Sequence, residues 1–123
     1  MADTPEAKFK KHIQKKLGEI IKRRQLPAKL NWNAGAGYGT ATLDLTGVIA
    51  GHAIAIEVKR PDGKGKLTAR QTMDLRDFAE SGAFSLLIDS DYTLSIFLLW
   101  VETLEPRTSC IPTVMKALMG LHD

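Results

Sequence analysis

A single cysteine, Cys110, leaves this chain unable to close a disulfide within itself, which excludes the small disulfide-stapled scaffolds. The three histidines, His12, His52 and His122, are scattered and share one thiol at no recognised zinc spacing. We therefore expect a reducing, intracellular (cytoplasmic) compartment. Long apolar runs are also missing. The longest, Leu94 to Val101, is interrupted by Ser95 and is too short to cross a bilayer. The polar, charged N-terminus reads as no signal peptide, so the expectation is a soluble protein with no membrane partner. The glycine-rich stretch at 31–40 is not followed by Gly-Lys-Ser/Thr, so a P-loop and a nucleotide cofactor are not expected. Acids are scarce in the first three-fifths of the chain: residues 1–76 carry a net +8 and residues 77–123 a net −5. A polyanion held near the few acids of the first part would need that excess of cations.

The 123 residues, 44% of them hydrophobic, suit one folded domain spanning 1–123. Thr4-Pro5 is a helix start, with Thr4 as N-cap and proline at the first helical position. Phe9, Ile13, Leu17, Ile20 and Ile21 then recur at helical spacing while Lys8, Lys11, Lys15 and Lys22 lie off the stripe, the pattern of a helix covering a sheet. Glu6 falls on the inward stripe in the first turn, where the helix dipole alone favours an acid. Residues 31–40, NWNAGAGYGT, predict an irregular segment. It is either a simple turn or a substrate-facing loop in which Trp32 and Tyr38 could stack on bases. A second helix is predicted from about Ala69 to Ser81, capped by Thr68 and closed by Gly82. Ala83 to Ile88 reads as a buried strand. The apolar stretch 92–104 fits either a buried helix or a strand by periodicity, and we take it as a helix; a last helix is expected near Pro112 to Leu121. The order implies an α/β (α+β) fold, a small central mixed sheet flanked by helices.

The chemistry concentrates in LDLTGVIAGHAIAIEVK, residues 43–59. Alternation on a strand puts Glu57 and Lys59 on one face and Ile54, Ile56 and Val58 on the other. If Ala50 and Gly51 turn the chain between two antiparallel strands, Asp44 falls directly across from Glu57 on the same face. Two carboxylates so placed repel unless a cation or a proton joins them. With Lys59 beside them the set suits a divalent metal and a phosphate. The bland alternative is an exposed strand face on which Glu57 and Lys59 merely pair, an arrangement that contributes little. Gln71 has two readings as well: Thr68-Ala69-Arg70-Gln71 is a capping box, yet Gln71, Leu75 and Phe78 share a stripe that would turn Gln71 toward the sheet.

Gly37-Tyr38-Gly39, Asp44, Ile56-Glu57-Val58-Lys59 and Leu67-Thr68-Ala69-Arg70-Gln71, with Thr4-Pro5-Glu6-Ala7-Lys8 upstream, resemble in that order the virus-type replication-repair nuclease (VRR-NUC) family of the PD-(D/E)xK nuclease superfamily, in its small standalone phage and bacterial form. The resemblance covers roughly residues 4 to 90, leaving about 91–123 as a C-terminal helical region. Leu43 departs from it, standing where the family usually has proline. The resemblance implies a restriction-endonuclease-like core and a Mg²⁺-dependent DNA endonuclease acting on branched DNA or a Holliday junction in replication, recombination or repair, with Mn²⁺ able to substitute. It implies Asp44, Glu57, the Val58 carbonyl and Glu6 around the metal, the last as an outer-shell or second-metal group, and Asp44, Glu57, Lys59 and Gln71 as the catalytic set. Tyr38, Arg60, Lys64, Lys66 and Arg70 are the expected DNA contacts. A homodimer is expected too, from the family and from the bulky stretch Leu94 to Val101. A catalytically inactive nucleic-acid-binding module of the same fold is the alternative, and an RNase or a restriction-type nuclease stays open.

Overall fold

A computed structural model describes residues 3–33, 43–107 and 111–121. Helix α1, Pro5–Arg24, starts where expected, with the Thr4 hydroxyl accepting a hydrogen bond from the Ala7 N–H and proline at the first turn. Its Phe9, Ile13 and Leu17 are buried, and Ile20 and Ile21 pack at the margin of the same core. Gln25, in left-handed conformation, ends it.

Four strands follow in a sheet of order β1-β2-β3-β4: β1, Ala28–Trp32; β2, Leu45–Ile49; β3, His52–Val58; and β4, Phe84–Ile88. The first two pairings are antiparallel and β3 with β4 is parallel, so the sheet is mixed. The parallel pair is bridged by helix α2, Ala69–Glu80, as parallel strands require a crossover. Strand β3 is interior, flanked by β2 and β4, and every residue from Ile54 to Val58 is buried. That explains its near-continuous apolar run.

The two faces of β3 have different partners. Ile54, Ile56 and Val58, with Leu45, Ile49 and Ile88, join α1 and helix α3, Asp91–Glu102, in one hydrophobic core. The opposite face, bearing Ala55 and Glu57, meets α2: Ser85, beside Ala55 in the register, donates its hydroxyl to the Leu75 carbonyl of that helix at 2.7 Å. The far ends of α1 and α3 are tied by the Arg23–Glu102 ion pair and by the Arg24 guanidinium on the Val101 carbonyl at 3.1 Å. Helix α4, Thr113–Leu118, is mostly exposed.

The α/β architecture, the hairpin and helices α1, α2 and α3 agree with the sequence expectations. Strand β1 does not. Asn31 and Trp32, assigned above to an irregular glycine-rich stretch, end a strand whose Leu30 and Trp32 pack on the core while Lys29 and Asn31 face outward. Its two-residue alternation is short, and the neighbouring glycines hid it. Strand β1 crowds β2 at Gly47, where a Cβ would run into the Lys29 carbonyl oxygen, so no side chain larger than hydrogen fits. Within 92–104 the helical choice is correct: Ser90 and Thr93 form a capping box, and Leu94, Phe97 and Val101 are buried at helical spacing. Phe78 on α2 is exposed, not inward. Among the described residues no helix is long and apolar enough to cross a membrane.

Candidate functional site

Ala50 and Gly51 both have positive φ, 51° and 85°, as the two-residue turns that match strand twist demand. An alanine there is strained, and the Ala50 N–H bonded to the Pro27 carbonyl at 2.6 Å holds it in place. The turn sets the register Ile49 with His52 through Leu45 with Ile56. One step further along lie Asp44 and Glu57.

The contact between them is more specific than two facing side chains. The Asp44 N–H donates to Glu57 Oε1 at 3.0 Å, and the Val58 N–H donates to Asp44 Oδ2 at 2.9 Å. Each carboxylate is thus oriented by the backbone of the opposite strand. On an antiparallel strand a residue's N–H and C=O point to the same edge, so the Val58 carbonyl shares the Asp44 side. The chain ahead of Asp44 is held by Asn33, whose backbone N–H donates to the Asp44 carbonyl at 2.8 Å and whose side-chain amide donates to the Leu43 carbonyl at 2.6 Å. Leu43 itself is buried.

Asp44 and Glu57, at 7% and 2% exposure, are the buried charged residues among those described. Burying two like charges is expensive. Three groups offset it. Lys10, on α1, places its ammonium 2.7 Å from Asp44 Oδ1 and 3.7 Å from Glu6 Oε2. Lys59 lies 3.5 Å from Glu57 Oε2, and the Gln71 amide donates to the same oxygen at 2.7 Å. Even so, burial first and the Asp44 charge second push the Glu57 carboxyl up to about 7. Burial works to lower the Lys10 ammonium, but the hydrogen bond and charge of Asp44, with the charges of Glu6 and Glu57, outweigh it and raise its pKa.

Both readings of Gln71 hold at once. Its carbonyl oxygen accepts from the Thr68 N–H at 3.0 Å and its backbone N–H donates to the Thr68 hydroxyl at 3.1 Å, completing the capping box, while its amide nitrogen reaches Glu57. The loop between β3 and α2 is closed around Asp62, which accepts from the Arg60 guanidinium at 2.6 Å and from the Lys64 backbone N–H at 2.9 Å. Gly65 lets that loop pass over the Lys59 stem, where a Cβ would stand 2.9 Å from the Lys59 Cβ. Arg60, Lys64, Lys66 and Arg70 are exposed around the strand end, Arg70 within 3.8 Å of Asp74. Tyr38 lies outside the described residues. Trp32 packs on the core as part of β1.

Asp44, Glu57, Lys59 and Gln71 therefore come together. Among the described residues, no three His, Cys, Asp or Glu side chains converge on one point. Glu6 stands off from the other two acids, with the Lys10 ammonium between it and Asp44. The donors brought together are the two carboxylates, all oxygen, a set that fits a hard cation such as Mg²⁺ or Mn²⁺ better than zinc or copper. Lys10 is the residue that sequence reasoning missed. Its signal was its position: it follows Phe9 and precedes Ile13 by three residues, at the inward edge of the apolar stripe, and lies four residues beyond Glu6.

No family model matches this chain, and neither a curated protein nor a solved structure matches it.

The Glu57 shift gives a pH dependence of known sign. Below its ordinary value of 4.5 the carboxyl is protonated folded and unfolded, with no penalty; as pH rises through about 7 the folded protein must carry the buried charge. In chelator, the thermal midpoint should fall between pH 5 and pH 8, by the equivalent of ~1.4 kcal/mol for each unit separating the two pKa values. Glu57→Gln should flatten that slope when melted by circular dichroism. A wild-type midpoint that does not change over this range would refute the assignment of a strained, buried Glu57.

Proposed function

We propose that this protein is a metal-dependent DNA endonuclease, selective for branched DNA such as a Holliday junction, working in replication, recombination or repair. The observation that carries the proposal is the pair of buried carboxylates, Asp44 and Glu57, each oriented by the other's strand, with Lys59 and Gln71 on the same oxygen of Glu57. A structural salt bridge needs none of this convergence, and burying two acids is a cost that a functional site repays. The branch preference comes from the VRR-NUC resemblance and not from a feature of the fold.

Mg²⁺, or Mn²⁺ in its place, would be held by the carboxylates of Asp44 and Glu57 and the Val58 carbonyl, supplying charge neutralisation at the phosphate and a more acidic water. The chain's own groups do the rest. Asp44 and Glu57 are pre-oriented by backbone N–H groups, so little reorganisation accompanies binding. Lys59, its stem half-buried under the 60–66 loop, would place a cation where negative charge grows on the phosphoryl oxygens, orienting the attacking water and stabilising that charge. Gln71 holds Glu57 in the rotamer that faces Asp44. Arg60, Lys64, Lys66 and Arg70 fix the DNA backbone through phosphate contacts that carry no sequence information.

One observation favours the second reading, an inactive nucleic-acid-binding module: the Lys10–Asp44 ion pair satisfies much of the acidic site without any metal. A cleavage panel separates the two. With Mg²⁺ and with Mn²⁺, on linear duplex, nicked, flap, fork, four-way junction and RNA substrates, wild-type protein should cut branched DNA. Asp44→Asn and Glu57→Gln should lower the rate by roughly a hundredfold or more without unfolding, given what removing one stabilising group from a transition state costs. Lys59→Ala should still bind metal. Near wild-type cutting by either carboxylate variant would refute the site.

Binding and turnover should also come apart. Neutralising Arg60, Lys64, Lys66 and Arg70 together should weaken DNA binding across all sequences and flatten its dependence on salt, by up to about 0.9 in slope for each phosphate that is no longer neutralised. Turnover at saturation should change much less, and an unaltered salt slope would remove these four residues from the interface.

The homodimer is part of the same proposal, on narrower local grounds than the sequence suggested. Leu94, Phe97 and Val101 belong to the domain's own core, which leaves Tyr92, Ile96 and Leu99 as the outward stripe of α3. Light scattering at micromolar concentration should give twice the chain mass of 13.5 kDa, and a monomer fully active on the junction would overturn the dimer.

A further inference from the structure

Beside the carboxylate pair lies a position where a second cation would sit, between Asp44 Oδ1 and Glu6. The chain already fills it. Lys10 is four residues beyond Glu6 on α1, and its neighbours Phe9 and Ile13 are locked in the core at 5% and 0% exposure, so its backbone cannot retreat. Its ammonium is 2.7 Å from Asp44 Oδ1 and 3.7 Å from Glu6 Oε2, with the side chain only 26% exposed. The oxygens on the far side are occupied differently: Asp44 Oδ2 and Glu57 Oε1 take backbone N–H groups, and Glu57 Oε2 takes Gln71 and Lys59.

We propose that Lys10 is a fixed counter-cation standing in for a second metal, so that the site takes a single divalent ion and Glu6 positions Lys10 instead of ligating metal. The inference rests on the metal-dependent reading above and deepens it. An ammonium on Asp44 Oδ1 repels a divalent ion brought to the same oxygen from the Glu6 side, and it partly satisfies Asp44 before any ion arrives. Lys10 is thus a positioning residue, acting through Asp44.

Calorimetric titration of the chelator-treated protein with Mn²⁺, without DNA, tests this. Wild type should bind one ion per chain. Lys10→Met should bind the first ion roughly tenfold more tightly, with the nearby like charge gone, and should gain a second, weaker ion. Lys10→Met combined with Glu6→Gln should return to one. Lys10→Arg, which keeps the charge and guards against a failure to fold, should stay at one. Glu6→Gln alone should bind its single ion within a few-fold of wild-type affinity. Two ions in wild type, or a folded Lys10→Met protein with unaltered stoichiometry and affinity, would overturn the role of Lys10 and leave the metal-dependent reading standing. So would a tenfold or greater loss of affinity in Glu6→Gln, which would make Glu6 a ligand. Absence of any Mn²⁺ binding in wild type and in every variant would overturn both.

Discussion

Everything around the site depends on one electrostatic problem: two carboxylates, Asp44 and Glu57, buried side by side at the end of a hairpin. On a surface strand the same pair would cost little and do little. In the interior each must be hydrogen-bonded, and each must be balanced. The sheet solves the first requirement by letting one strand's backbone N–H groups serve the other strand's acid. The surrounding elements solve the second with a lysine from α1, a lysine from β3's own continuation and an amide from α2. Residual strain remains in the raised pKa of Glu57. A site that stays strained without a ligand is one that gains when a cation arrives.

The position of that problem in the sheet matters as much as its chemistry. Strand β3 has neighbours on both sides and helices against both faces, so residues on it are held tightly. Its far end, at Ala50 and Gly51, is clamped by the Pro27 carbonyl and by the Arg107 N–H on the Ala50 carbonyl at 3.2 Å. Register cannot slip by one residue without turning Ile54, Ile56 and Val58 outward. The opposition of Asp44 and Glu57 is therefore enforced by the apolar face they do not belong to.

That is why the hairpin was legible from sequence. Its two-residue turn, its alternation and the spacing of its acids all specify one register, and the structure has it. Helix α1 was legible through Thr4, Pro5 and its apolar stripe, and Gln71 through its capping box and the stripe it shares with Leu75, although Phe78 on that stripe faces out. What escaped had weaker local signals. Strand β1 has five residues and one polar face, beside glycines that dominate any local reading. Lys10 resembles its neighbours Lys8 and Lys11 in type, and only its position at the edge of the stripe sets it apart. Inward and outward lysines on one helix differ by a rotation that composition does not register. A one-turn offset from Glu6 puts the Lys10 ammonium within reach of both Glu6 and Asp44.

The Gln71 side chain has a further meaning for the timing of the site. One end of its amide closes the first turn of α2 and the other end holds Glu57, so the same small group belongs to two cooperative units. Helix ends open more often than strand interiors, and a capping residue is the latch on that opening. Each time the first turn of α2 frays, Glu57 loses its amide partner, and Lys59 is left alone on that oxygen. The lifetime of the assembled site is then bounded by the closing of a helix that carries Arg70 at its second residue. A phosphate seated on Arg70 would steady that turn, and the steadiness would pass through one amide to the carboxylate.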